Sequence, residues 1–249
     1  MRSVRRHSCW RPRLKSMLVM GVIAVMILAL TGCGRAPEVD GQIIIAQGVD
    51  ATTLDPNMHA EGPTNNVLKQ IYDSLLMRSE DGEMETALAQ SFTVVDDTTW
   101  EFELRDDVTF HNGESFDAES VKYTVDRILD PEKNSPQAGD LSAVDEVQIV
   151  DQYTVRFVTS KPYPTLAAQL VGIEMVPPQY TEEKGDEYLA SNPVGTGPYE
   201  FVRWEQDDEI VLQGNEKHWR GTPSIETVVF RVVPENSTPS LSFRPVMLI

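Results

Sequence analysis

Residues 92–110, FTVVDDTTWEFELRDDVTF, place Trp100, Phe102 and Leu104 on one side of an extended chain and Glu101, Glu103 and Arg105 on the other. A period of two over six residues requires a strand with one buried face. The acidic pair Asp96-Asp97 marks a turn before it, so a half-buried hairpin is predicted here. A sheet with one apolar face must be covered, and the next segment of the chain supplies the cover. From Asp117, a good N-cap, Val121, Val125, Ile128 and Leu129 recur at helical spacing until Asp130-Pro131 stops them. VQIVDQYTVRFV then predicts a second hairpin, with Val147 and Ile149 before the turn and Tyr153, Val155 and Phe157 after it.

The same grammar continues on either side. QIIIAQ at 42–47 reads as a fully buried strand, and GVDATTLDPN behind it as a loop rich in turn residues. From Pro63 to Met77, Val67, Ile71 and Leu75, flanked by Leu68, Tyr72 and Leu76, predict a helix with one apolar stripe. A short charged helix is expected near 181–189, then strands around Phe201 and Ile210 and a last one in TVVFRVV. Strand pairs alternating with single helices, without regular βαβ units, predict an α+β fold. With 249 residues of which 41% are hydrophobic, the chain has material for a real core and one or two domains.

Charge is distributed unevenly. Six of the 21 Lys and Arg lie in the first 32 residues, where no acid occurs, which leaves 15 against 39 Asp and Glu in the remainder. A surface that acidic repels nucleic-acid backbones and anionic headgroups, so nucleic acid is excluded as a partner and membrane attachment needs a covalent anchor. The basic start leads into MLVMGVIAVMILAL at 17–30, an apolar run too short to span a bilayer comfortably and suited to a signal-peptide core. Leu30-Thr31-Gly32-Cys33 comes next, and it resembles the lipobox of bacterial lipoproteins, in which the cysteine thiol is acylated. Residues 1–32 are therefore expected to be a lipoprotein signal peptide, Cys33 the lipid attachment site and 33–40 a tether. Cleavage removes Cys9, so no disulfide can form in the mature chain.

Catalytic chemistry is not visible. His59, His111 and His218 stand far apart with no His or Cys at ligand spacing, and no motif for a nucleophile, a zinc protease or a phosphate loop occurs. Neither a metal nor a cofactor is expected, and no catalytic residue is assigned. Gly195-Thr196-Gly197-Pro198 reads as a tight turn whose glycines take positive φ.

Several stretches taken in order resemble one family. DATTLDPN (50–57), IYDSLL (71–76), LAQSF (88–92), the run from Trp100 to Pro131 and NPVGTGPYEFVRW (192–204) are similar to the family 5 extracellular solute-binding proteins of ABC importers for oligopeptides, dipeptides, nickel and related solutes. Asn215, His218-Trp219 and Gly221-Thr222-Pro223 match a family pattern N-x-x-Y-W-x-G-x-P, with His218 where tyrosine is usual. The resemblance covers about 41–238. It implies a periplasmic-binding-protein-like two-lobed clamp with an accessory domain, of which only the first lobe and the accessory domain are present. Lobe one would comprise 41–62 and 190–235, and the accessory domain 63–189. The resemblance also places Gly48, Val49, Asp50, Ala51, Thr52 and Thr53 at the cleft, where their backbone could pair with an extended peptide. The implied protein is a non-enzymatic, lipid-anchored, extracytoplasmic receptor whose partners are a peptide or other small solute and a membrane ABC permease.

The last eleven residues, PSLSFRPVMLI, do not fit that pattern. Residues 236–249 are expected to be an aberrant tail produced by a frameshift, which would make the chain a truncated, inactive fragment. Two other readings are a secreted lipoprotein with a structural or interaction role and a lipoprotein hydrolase. The missing nucleophile and metal spacing count against the hydrolase.

Overall fold

The computed structural model describes residues 41–234. The predicted signal segment 1–32, the tether 33–40 with Cys33 and the tail 236–249 lie outside the described residues. In chain order the elements are β1 (Gln42–Gln47), α1 (Gly62–Ile71), β2 (Leu76–Arg78), β3 (Met84–Thr86), β4 (Ala89–Asp96), β5 (Thr99–Leu104) and α2 (Ala118–Leu129). They continue with β6 (Val144–Asp151), β7 (Thr154–Thr159), α3 (Leu166–Gln169), α4 (Pro178–Lys184), α5 (Asp186–Leu189), β8 (Tyr199–Glu205), β9 (Glu209–Gly214) and β10 (Thr227–Val232).

Two four-stranded sheets organise these elements. One has the order β4-β5-β7-β6 and is antiparallel throughout, built from the two hairpins read in the sequence. Its inner face carries Trp100, Phe102, Leu104, Val155 and Phe157, all buried, with the Phe102 and Phe157 rings edge to face at 5.3 Å. Burying each of these phenylalanines is worth about 1.5–3 kcal/mol. α2 closes that face with Val121, Val125 and Ile128, each fully buried. Asp117 starts it as a capping box, its carboxylate accepting from the Glu119 and Ser120 amides while the Ser120 hydroxyl accepts from the Asp117 amide.

The other sheet has the order β1-β10-β9-β8, with β1 parallel to β10. Leu54, Val67, Leu68, Ile71 and Tyr72 pack against it with Val176 and Leu189, so α1 leans on this sheet rather than on the first.

Four local expectations are corrected. β1 forms where predicted but is not fully buried: it is an edge strand with one neighbour, its isoleucines are half-buried or exposed, and Ile45 is 37% exposed. The helix predicted to Met77 ends at Ile71, where Tyr72 turns extended. Leu75 and Leu76 remain buried, but from an extended segment and a strand. The charged helix near 181–189 is two short helices separated by Gly185, whose φ of 83° breaks the run. Gly195 and Gly197 do not adopt positive φ. A Cβ on Gly195 would lie 2.0 Å from the Ile71 carbonyl oxygen, and one on Gly197 2.6 Å from the Ile71 carbonyl carbon. These glycines are needed for close approach of two backbones. Gly197 N donates to the Ile71 carbonyl at 2.8 Å, which takes up the free end of α1.

Candidate functional site

The loop singled out in the sequence, Gly48 to Thr53, leaves the C-terminal end of β1. Its polar side chains are committed to neighbours. Asp50 Oδ2 accepts from Trp204 Nε1 at 2.9 Å and from the Asp207 amide at 2.8 Å, and Oδ1 accepts from the Ala51 amide. Asp50 thus ties the loop to the turn between β8 and β9. Thr52 binds the start of α1: its amide donates to Thr64 Oγ1 at 3.0 Å, and its hydroxyl donates to Glu61 Oε2 at 3.1 Å. Thr53 Oγ1 accepts from the Asp55 amide, and Ala51 is buried. By contrast, the peptide groups of Gly48 and Val49 and the N–H and C=O of Asp50 have no hydrogen-bond partner among the described residues. Val49 is 59% exposed, and nothing lies within 4 Å of where a Cβ on Gly48 would be. The arrangement is a fixed loop that presents bare backbone donors and acceptors.

Behind the loop lies a buried ionic fork. Arg127 Nη1 donates to Asp55 Oδ1 and Asn57 Oδ1, both at 3.0 Å, and Nη2 donates to Asp55 Oδ2 and to Asp186 Oδ1 at 2.9 Å. Burial lowers the guanidinium's pKa, but Asp55 and Asp186 more than offset that, so the charge is held firmly. The fork fastens the LDPN stretch to α2, and Asn57 fastens it further by donating to the Glu174 carbonyl and accepting from Ser135 at its own carbonyl.

A third cluster gathers residues from IYDSLL, the Gly195–Gly197 turn and the Asn215–Trp219 stretch. Asp73 Oδ2 accepts from Thr196 Oγ1 and Trp219 Nε1, both at 3.0 Å, with His218 Nε2 at 3.6 Å, beyond hydrogen-bond reach. Burial pushes the Asp73 carboxyl up, but the His218 ring beside it, Trp219 and Thr196 together hold it below the usual carboxylate range. His111 clamps the same turn, Nε2 against the Gly197 carbonyl at 2.9 Å and Nδ1 accepting from the Gly195 amide at 3.4 Å. That places its proton on Nε2, and burial lowers its pKa despite the Gly197 carbonyl. Asn215 Nδ2 donates to the same carbonyl at 3.2 Å.

His59, His111 and His218 do not converge on a common point, and no group of three His, Cys, Asp or Glu that could hold a metal occurs among the described residues. An open groove of about 800 Å³ lies between the 112–117 loop, α2 and α4, lined by Glu114, Asp117, Tyr123, Tyr180 and Glu182. It includes no residue of the 48–53 loop. Glu114 is not a free charge there, because it accepts from the Gln179 and Tyr180 amides at the start of α4. Sequence reasoning missed Trp204 as the partner of Asp50 and Glu61 as the partner of Thr52. For Trp204, only its place in the NPVGTGPYEFVRW motif hinted at a role.

Residues 83–244 match the family described as bacterial extracellular solute-binding proteins, family 5 Middle. The chain is 30% identical over 200 residues to the glutathione-binding protein GsiB of Salmonella paratyphi A, covering 79% of this chain and 39% of that protein. Among solved structures it is similar to the periplasmic binding protein DppA from Helicobacter pylori in complex with the peptide STSA. The TM-score there is 0.73 at 28% identity, over 80% of this chain and 44% of that one. It is likewise similar to the ABC transporter substrate-binding protein CtaP from Listeria monocytogenes, with a TM-score of 0.71 at 30% identity over 79% and 41%. The shared fold is that of the periplasmic binding proteins, and each of these relatives is a binding protein rather than an enzyme. The chain spans about two fifths of the length of the curated relatives it matches. No helix among the described residues is long and apolar enough to cross a membrane.

Proposed function

The chain belongs to the bacterial extracellular solute-binding proteins of family 5, and from that premise we propose that it is part of a lipid-anchored, extracytoplasmic receptor that hands peptides, or a related small solute, to an ABC permease. In this reading lobe one comprises 41–62 and 190–235 and the accessory domain 63–189, with α1 leaning on the sheet of lobe one across that boundary. Cys33, behind the apolar run 17–30, is the proposed point of lipid attachment.

The observation that carries the reading is the unpaired backbone of Gly48 to Asp50 on a loop whose polar side chains are otherwise engaged. A loop of this kind recognises the peptide unit common to every peptide and is indifferent to side chains, which suits a receptor for a class of solutes. Extended main chain pairs with it by exchanging N–H and C=O hydrogen bonds, each worth about 0.5–1.5 kcal/mol net. Asp50 acts here through Trp204 and the Asp207 amide, holding the loop in place.

Amide chemical-shift mapping of the chain with millimolar trialanine, and separately with glutathione, tests this. One lobe binds weakly, and shift mapping detects weak binding. Perturbations centred on Gly48, Val49 and Asp50 are expected with one or both probes. Perturbations confined to the groove around Glu114 and Tyr180, or none in the 48–53 loop with either probe, would remove the loop from the site.

A further inference from the structure

Residues 171–176 run as a strap between the two cores: Ile173 and Met175 are buried in the core of the β4-β5-β7-β6 sheet, Val176 in the other. The strap is held by four backbone attachments. The Val171 carbonyl accepts from the Ser74 hydroxyl at 3.0 Å. Met175 N donates to the Asp73 carbonyl at 3.0 Å, Val176 N donates to Thr124 Oγ1 at 3.2 Å, and the Glu174 carbonyl accepts from Asn57 Nδ2 at 3.1 Å. The Met175–Asp73 bond belongs to an isolated antiparallel bridge between Glu174 and Ser74. The Glu174 side chain is the anomaly. It is 3% exposed and its Oε2 has no hydrogen-bond partner.

The charged groups on the neighbouring segments do not answer it. Lys69 on α1 acts on Glu174 only through its field. Asp73, next to Ser74, is turned to Thr196 and Trp219, and Asp55 and Arg127 are turned to each other. His59, two residues beyond Asn57, is buried with both ring nitrogens unpartnered. A carboxylic acid at this place is tolerable. A carboxylate there has no paired cation, only the field of Lys69 and its own backbone N–H, too little to offset the loss of water.

We propose that the strap 171–176 is a proton-dependent latch between the two cores, with Glu174 as its sensing group. With the proton on Glu174 the strap is shut. When the proton leaves to solvent, the carboxylate has to reach water, and the Ser74 bridge and the Asn57 contact let go to admit it. Asn57 is also a ligand of Arg127 Nη1, so the opening reaches the ionic fork behind the 48–53 loop. The latch does not depend on that loop binding a solute.

Burial pushes the Glu174 carboxyl up to about 7 from an ordinary 4.5. A group with those two values in the shut and open strap makes opening about 30-fold easier at pH 8.5 than at pH 5.5. Amide hydrogen exchange of the chain at the two pH values, corrected for the intrinsic pH dependence, reads this directly at Met175 and Val176. Their protection is expected to fall about 30-fold with rising pH, to stay flat in Glu174→Gln, and to lie below that of Val155 and Phe157 in β7 at both pH values, because the strap opens without the sheets unfolding. Equal protection at all four amides would mean that the strap opens only when the whole fold does and would overturn the latch, as would an unchanged pH response in the variant. Should Glu174→Gln not fold, the infrared carbonyl stretch of a protonated acid in the unmodified chain decides. Its loss between pH 5.5 and 8.5 in step with strap protection supports the latch, and a carboxyl already ionised at pH 5.5 overturns it.

Discussion

Gly195→Ala is the most demanding test of how the two halves of the molecule are joined. The added Cβ would lie 2.0 Å from the Ile71 carbonyl oxygen, 2.7 Å from its carbon and 2.8 Å from the Tyr72 ring. Backbone cannot yield as a flexible side chain does, so the Gly195–Gly197 turn has to move back by about 1 Å or more, and overpacking of this kind costs about 1–3 kcal/mol. Retreat also stretches the Gly197 N to Ile71 O bond and the His111 N to Gly195 O bond, both 2.8 Å at present. Leaving one of these buried groups unpaired adds about 1–3 kcal/mol. The expected total is about 2–6 kcal/mol, a large share of the roughly 5–15 kcal/mol that holds a domain together. Gly48→Ala is the matched control, since its Cβ enters open space at ordinary φ and should change stability by no more than about 1 kcal/mol. Urea unfolding followed by tryptophan fluorescence and far-ultraviolet circular dichroism compares the two. With a slope of about 2 kcal/mol/M, Gly195→Ala should lower the midpoint by about 1 M or more. Midpoints for the two variants within about 0.3 M would refute the close-approach argument.

Two further perturbations address the buried charges. Arg127→Met leaves Asp55 buried without its cation and should cost about 3–5 kcal/mol in urea unfolding, with Asp55→Asn added to it recovering a substantial part; a single-variant loss under about 1 kcal/mol would contradict the fork's role. His111 is buried neutral with its pKa lowered, so the unfolded chain gains a proton first as pH falls, and stability is lost downward from about pH 6.5. Glu174 has the opposite sign, stabilising the fold as pH falls from about 7 towards 4.5, so the His111 contribution is read as the difference between the unmodified chain and His111→Gln at pH 7.5 and 5.5. An identical pH response in the two would exclude it.

Much of the fold was legible because its signals are local. The alternation at Trp100, Phe102 and Leu104, the second hairpin and the Asp117 cap each depend on residues within a few positions, and each element stands where its pattern predicts. The misreadings share one cause. The helical stripe from Val67 to Leu76 is buried along its whole length, but what ends the helix is a turn some 120 residues later that occupies the Ile71 carbonyl. The isoleucine run of β1 has the composition of a central strand, yet only its pairing with β10 decides that it is an edge. Glycine in a turn suggests positive φ by default, whereas here the missing Cβ matters for what lies opposite. At the candidate site, the resemblance indicated the loop at Gly48 to Thr53 but not the chemistry of Asp50, whose carboxylate is bound 154 and 157 residues away in sequence.

The parallel pairing of β1 with β10 also sets an order of events. The sheet formed by β4 to β7 lies within residues 89–159, so its two hairpins close across short turns and join through β5 and β7 as soon as residue 159 is available. β1 has no partner among the described residues until Thr227–Val232 arrives, some 180 positions later. Closing so long a loop carries an entropic cost that local hairpins avoid, and non-local pairing is slow for that reason. Among the described strands β1, with three isoleucines in a row, therefore spends the longest time as an unpaired edge as the chain emerges from a ribosome or a translocation channel. Any factor that holds the chain during that interval should find its principal target at residues 42–47.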